Sequence, residues 1–179
     1  MRTALFAAGL ALAACASPSA PMTSTTLAAA DAATSLIVGQ SIRMEESTRA
    51  ASEGMDPVVS LTLRHADGRS MRFQQGNHTN DDLAAQAPGG PLAQIMGLFG
   101  EESPVLYHAV REGSQPFLCA PEGPAAIGVH RNEADGGMHI VGLKQPIQFE
   151  TRPDGRSEAV PYSPDQVCAR LRFTGGAGQ

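Results

Sequence analysis

Apolar and polar residues alternate with period two along several stretches of the chain, the pattern of strands that turn one face to a core. Leu36, Val38, Ile42 and Met44 fall on one face of a first stretch, interrupted by Gln40. Val59, Leu61 and Leu63 share one face of the next, with Ser60, Thr62 and Arg64 opposite, and Met71 and Phe73 follow. Segments 104–110 and 166–173 add two more strands. In the last, Val167, Ala169, Leu171 and Phe173 alternate with Cys168, Arg170 and Arg172.

Turn chemistry sets the register. Ala66-Asp67-Gly68 reads as a three-residue hairpin loop with glycine at the left-handed position. That loop places Leu63 opposite Met71 and Leu61 opposite Phe73. A two-residue Asp-Gly loop would set Leu63 against Arg72, and a slip of one residue turns every side chain to the wrong face. The same reasoning at Ala134-Asp135-Gly136 sets Val129 opposite Val141 and Ile127 opposite Leu143. At Pro153-Asp154-Gly155 it sets Phe149 opposite Ala159. Between the early and late strands, Asn80 or Asp81 is placed to cap a short helix ending before Pro88. Pro91 opens a second over Leu92, Ile95, Met96 and Phe99. Gly97-Leu98-Phe99-Gly100 is the most apolar part of this insertion and is expected to pack on the sheet. The expected fold is α+β, mainly antiparallel β, as a sandwich or partly closed barrel with a short helical insertion.

Composition narrows the class. The chain has 179 residues, 42% of them hydrophobic and 17% charged, as in a globular protein. Its net charge of -5, without a cluster of Lys or Arg, argues against a nucleic-acid partner.

The first 15 residues, MRTALFAAGLALAAC, change the picture further. Arg2 supplies a positive n-region and Thr3 to Leu12 an apolar h-region too short for a stable span. Leu12-Ala13-Ala14-Cys15 resembles the lipobox of bacterial lipoproteins. The resemblance covers these residues only. It implies removal of residues 1–14 as a signal peptide and acylation of Cys15, hence a membrane partner through the lipid anchor. Ala16 stands where the family's inner-membrane retention signal places Asp, which implies the outer membrane. The alternative is an ordinary secretory signal in which Cys15 is incidental. Residues 16–33, rich in Ala, Ser, Thr and Pro, read as a flexible tether, with 34–173 as one globular domain and 174–179 as a frayed tail.

With Cys15 set aside, Cys119 and Cys168 remain. In an exported domain an even pair is most simply a disulfide, because the periplasm is oxidising. The rival reading, a catalytic or metal-binding thiol, lacks C-x-x-C or His-adjacent spacing.

No nucleophile elbow, P-loop, dinucleotide fingerprint, zincin or EF-hand spacing is present. His130 and His139 flank one hairpin, but the register derived above puts them on opposite faces of the sheet, which argues against a shared metal. No metal or cofactor is expected. The segment Asn77 to Asp82 offers oxygens for calcium but reads more simply as a turn and helix N-terminus. The pairs Glu45-Glu46, Asp81-Asp82 and Glu101-Glu102 read as solvated surface. The sequence thus points to a lipid-anchored envelope protein with a non-catalytic binding domain and an envelope protein as partner. One alternative is a periplasmic hydrolase built on His65, His108 or the Asn77–Asp82 loop. The other is a structural or assembly accessory of the outer membrane.

Overall fold

The computed structural model describes residues 22–50, 57–76 and 79–174. Its strands are β1 (Met22–Ala29), β2 (Ser41–Arg49), β3 (Val58–Arg64), β4 (Ser70–Gln75), β5 (Val105–Val110), β6 (Ala126–Arg131), β7 (Met138–Leu143), β8 (Phe149–Thr151), β9 (Ser157–Ala159) and β10 (Val167–Thr174). Three short helices accompany them: α1 (Ala32–Val38), α2 (Asn80–Gln86) and α3 (Pro91–Met96). Strands β1 to β7 follow one another round a closed antiparallel barrel, and β10 fits between β7 and β1 to complete it. Strands β8 and β9 form a separate hairpin. The expected antiparallel architecture with a helical insertion is present, and the sheet is fully closed.

Closure uses a segment that the sequence presents as a tether. Residues 22–29 form β1, which pairs with β2 over seven positions from Met22↔Ser47 to Ala28↔Ser41. Its contact with β10 is brief, Ala28↔Thr174 and Ala29↔Phe173. Beyond that point Ala30 donates its N–H to the Arg172 carbonyl and the Thr34 hydroxyl accepts from the Arg172 N–H, both at 2.9 Å. Thr34 is fully buried, so it satisfies backbone that the short pairing leaves open. The tether expected over 16–33 and the domain start expected at 34 are therefore corrected: the described fold begins at Met22.

A second correction concerns the first expected strand. Leu36 and Val38 lie in α1, not on a strand with Ile42 and Met44. Asp31 caps this helix by accepting from the Thr34 N–H at 2.7 Å, and Gly39, at φ 73°, ends it. Val38 enters the barrel core, whereas Leu36 is exposed.

Inward residues fill the barrel. Leu27, Ile42, Met44, Leu61, Leu63, Met71, Phe73, Ile127, Val129, Ile140, Leu171 and Phe173 form one cluster, and Phe117 and Leu118 from the β5–β6 loop close one end. The β3–β4 hairpin has the expected register, Leu63↔Met71 and Leu61↔Phe73, as does the hairpin Phe149↔Ala159. The β6–β7 hairpin does not. Its partners are Val129↔Ile140, His130↔His139 and Arg131↔Met138, one residue from the expected pairing. The loop holds one residue more, closed by Asn132 N–H to Gly137 O and Gly136 N–H to Asn132 O, both 2.8 Å. Apolarity could not reveal this, because β7 buries both faces: Met138 and Ile140 inside the barrel, Val141 and Leu143 outside it.

The outer face of β5, β6 and β7 is covered by the insertion. Leu106, Ala126, Val141 and Leu143 pack against Ala85, Leu92 and Met96 of α2 and α3. Thr79, not Asn80 or Asp81, caps α2, accepting from the Asp82 N–H at 3.0 Å, and Pro91 opens α3 as expected. Leu98 packs against this outer core, but Phe99 is 85% exposed, so only part of the apolar segment docks. The close approach of α3 depends on Gly128: a Cβ there would meet Leu92 Cδ1 at 2.6 Å and Met96 Sδ at 3.1 Å. Gly128→Ala is expected to destabilise the fold by about 1–3 kcal/mol through overpacking. Urea denaturation checks this, and an unchanged midpoint would argue against the docked helix.

Candidate functional site

Two polar constellations stand out against the filled barrel: one across its open mouth and one on its outer face. The first follows from alternation. Ile42 and Met44 point inward on β2, so Glu46 does also; Ile127 and Val129 point inward on β6, so Arg131 follows. β6 is the fourth strand from β2 in either direction round the barrel. The two side chains meet across this diameter, Arg131 Nη2 to Glu46 Oε2 at 2.9 Å. Glu46 is thus not the solvated surface residue expected from its pairing with Glu45. Glu45 turns outward and takes Arg64 at 2.8 Å and Arg43 at 3.4 Å.

Tyr107 lies below this bar, inward on β5 and 5% exposed. Burial pushes its hydroxyl pKa up to about 12; the Glu46 charge adds to the shift and Arg131 opposes it. Tyr107 therefore stays protonated at any physiological pH. The Glu46 and Arg131 side chains are 30% and 53% exposed, so the pair contributes little stability, on the order of 0–1 kcal/mol.

The second constellation comes from the corrected β6–β7 register. His130 and His139 are direct cross-strand partners on the same outward face, with ring centres 6.3 Å apart. The opposite-face placement expected from the sequence is overturned, and with it the reason given there against a shared ion. His130 is nearly buried, and its Nε2 lies 3.7 Å from Glu102 Oε1. On β10, Arg172 is the partner of His139. Burial holds His139 below the ordinary histidine pKa, with Arg172 and His130 acting in the same direction.

The remaining expected residues are dispersed. His65 sits in the β3–β4 turn, where its Nδ1 pairs with Asp67 at 2.9 Å and its ring lies 5.2 Å from that of Phe117. His108 faces outward on β5 and its Nε2 bonds Asp82 Oδ1 of α2 at 2.7 Å. This is one pairing that the hydrolase alternative requires, a base with an orienting carboxylate. Among the described residues no hydroxyl or thiol is hydrogen-bonded to His108, and His65 belongs to a different loop. Asp81 accepts from the Ser157 hydroxyl at 3.3 Å. Asn77 and His78 lie outside the described residues, as does Cys15.

Cys119 and Cys168 are joined, with Cα atoms 5.3 Å apart. The β10 register shifts between Val167 and Ala169, so Cys168 sits at an irregularity that re-aims its side chain. Gly142 of β7 makes room: a Cβ there would meet Cys119 Sγ at 2.9 Å.

Glu46, Arg131 and Tyr107 were missed as a group although the signal existed. Extending the period-two faces by one step at the end of β2 and β6 places both charges inside. Comparison with protein-family models, curated proteins and solved structures gave no significant match.

Proposed function

We propose that this chain is a lipid-anchored protein of the bacterial outer membrane whose barrel is a non-catalytic binding domain for an envelope protein. The binding half of this reading rests on one observation. The barrel interior is packed with side chains from wall to wall, with Phe73, Leu61, Leu63, Ile127, Ile140 and Leu171 almost fully buried. Among the described residues, its polar constellations lie at the mouth and on the outer wall, where a macromolecule can meet them.

The anchoring half rests on the lipobox-like Leu12-Ala13-Ala14-Cys15. The described barrel begins at Met22, seven residue steps along the chain from Cys15. Seven residue steps span at most about 25 Å. Met22 lies at the same end of the barrel as Glu46, so the anchor joins the barrel at the end that carries the mouth. More than one acyl chain is required for stable anchoring, as the resemblance implies for Cys15.

The test is metabolic labelling with an alkyne palmitate analogue, followed by fractionation. The wild-type chain is expected to carry label and to sediment with outer membrane, whereas Cys15→Ala carries none and stays soluble. Equal labelling of both, or recovery of wild type in the cytosol, contradicts the anchor.

A further inference from the structure

We infer that His130 and His139 form a two-imidazole clamp for a late first-row divalent cation, with Glu102 as a third, carboxylate ligand. The inference concerns the outer wall and does not depend on the anchor.

The geometry starts from the strand pairing. Direct cross-strand partners on one face keep their Cβ atoms about 4.5–5.5 Å apart, so the rings rise side by side from adjacent strands. Zinc binds imidazole nitrogen at about 2.0–2.1 Å. With each nitrogen about 1.1 Å from its ring centre, two imidazoles on one ion have centres about 5 to 6.5 Å apart, from tetrahedral to linear arrangement. The observed 6.3 Å lies at the linear end of that range, the trans arrangement of a square-planar Cu2+ or Ni2+ site, with the ring planes 65° apart.

Among the described residues no three His, Cys, Asp or Glu side chains already converge. The clamp is therefore two ligands with open positions, not a closed structural cage. Glu102 reaches within 3.7 Å of His130 Nε2, and the distance is one that an ion between them would bridge. A hollow of about 460 Å³ beside His130 and Glu102 is also lined by Glu101, Ser103, Arg131 and Asn132, leaving space there for water or a donor from a partner, while His139 borders a separate hollow with Asp135 and Arg172. The pair of imidazoles selects the metal class: nitrogen donors suit Zn2+, Ni2+ and Cu2+ and disfavour Ca2+ and Mg2+. The charges bearing on His139 are mixed. Arg172 opposes a cation, and Asp135 and Glu102 favour it.

The experiment uses the full chain in detergent without an appended histidine tag, titrated with Cu2+ and Zn2+ at pH 7.5. Expected are one ion per chain and a Cu2+ paramagnetic resonance spectrum with coupling to two imidazole nitrogens. His130→Asn and His139→Asn are each expected to weaken binding at least about 10-fold and to leave one coupled nitrogen. Arg172→Gln is expected to tighten binding, which a folding defect would not mimic. Binding indifferent to both histidine substitutions, or sensitive to only one of them, overturns the clamp, as does a failure to bind either ion. Ca2+ as the preferred ion overturns the class assignment.

Discussion

A chain that starts at Ala30 is expected to lose the cooperative unfolding transition, whereas one that starts at Met22 keeps it. Removing β1 strips β2 of seven paired positions and β10 of two. It also takes from the core Leu27, which is 1% exposed. Full burial of such a side chain contributes about 1.5–3 kcal/mol, and each net backbone hydrogen bond about 0.5–1.5 kcal/mol. Together these losses rival the whole stability of an ordinary domain, about 5–15 kcal/mol. Two free edges are exposed as well, so the truncated chain is expected to aggregate. Circular dichroism melts of the two truncations check this. A wild-type melting temperature for the Ala30 chain would show that β1 is not part of the stable barrel.

Breaking the Cys119–Cys168 bond is the second large effect. The bond closes a loop with a sequence separation of 49, and the chain-entropy argument gives about 4 kcal/mol for a loop of that size. Cys119 has φ 54°, a left-handed conformation that residues other than glycine rarely adopt. The double substitution Cys119→Ala, Cys168→Ala is therefore expected to lose about 4 kcal/mol in urea denaturation. Cys119→Gly with Cys168→Ala is expected to lose about 1 kcal/mol less, because glycine accepts that conformation without strain. Reduced wild type should behave as the alanine pair does. Equal stability of oxidised and reduced protein would remove the bridge from the account of the fold.

How much of this was legible depends on whether a strand has one apolar face or two. In β3 and β4, Leu61, Leu63, Met71 and Phe73 alternate with Thr62, Arg64 and Arg72, so only one register keeps the charges out of the core. In β10 the arginines perform the same service. In β7 the outer face is covered by α2 and α3, so Val141 and Ile140 are both buried and a one-residue slip leaves no hydrophobic trace. The misplacement of His139 followed directly from that.

The other failures share a different cause. Strand β1, MTSTTLAA, contributes one fully buried side chain, Leu27, and apart from the exposed Met22 its remaining residues are small or hydroxylated. Composition alone makes it a linker, although its threonines suit a strand. Its place in the fold is decided by backbone pairing, to which composition is blind. Helix α1 was hidden by Leu36 and Val38 sharing period two with Ile42. The capping Asp31 and the terminating Gly39 were the local signals that outweigh it. At the barrel mouth the charge of Glu46 suggested solvent, although alternation along β2 turns it inward, where it meets Arg131 across the diameter.

Amide hydrogen exchange over residues 22–29 bears most directly on whether this segment closes the barrel. Protection comparable to that of β2, lost together with it in one cooperative step, is the result that a closed eight-stranded barrel requires. Exchange at the rate of an unstructured linker, with β2 still protected, would contradict it.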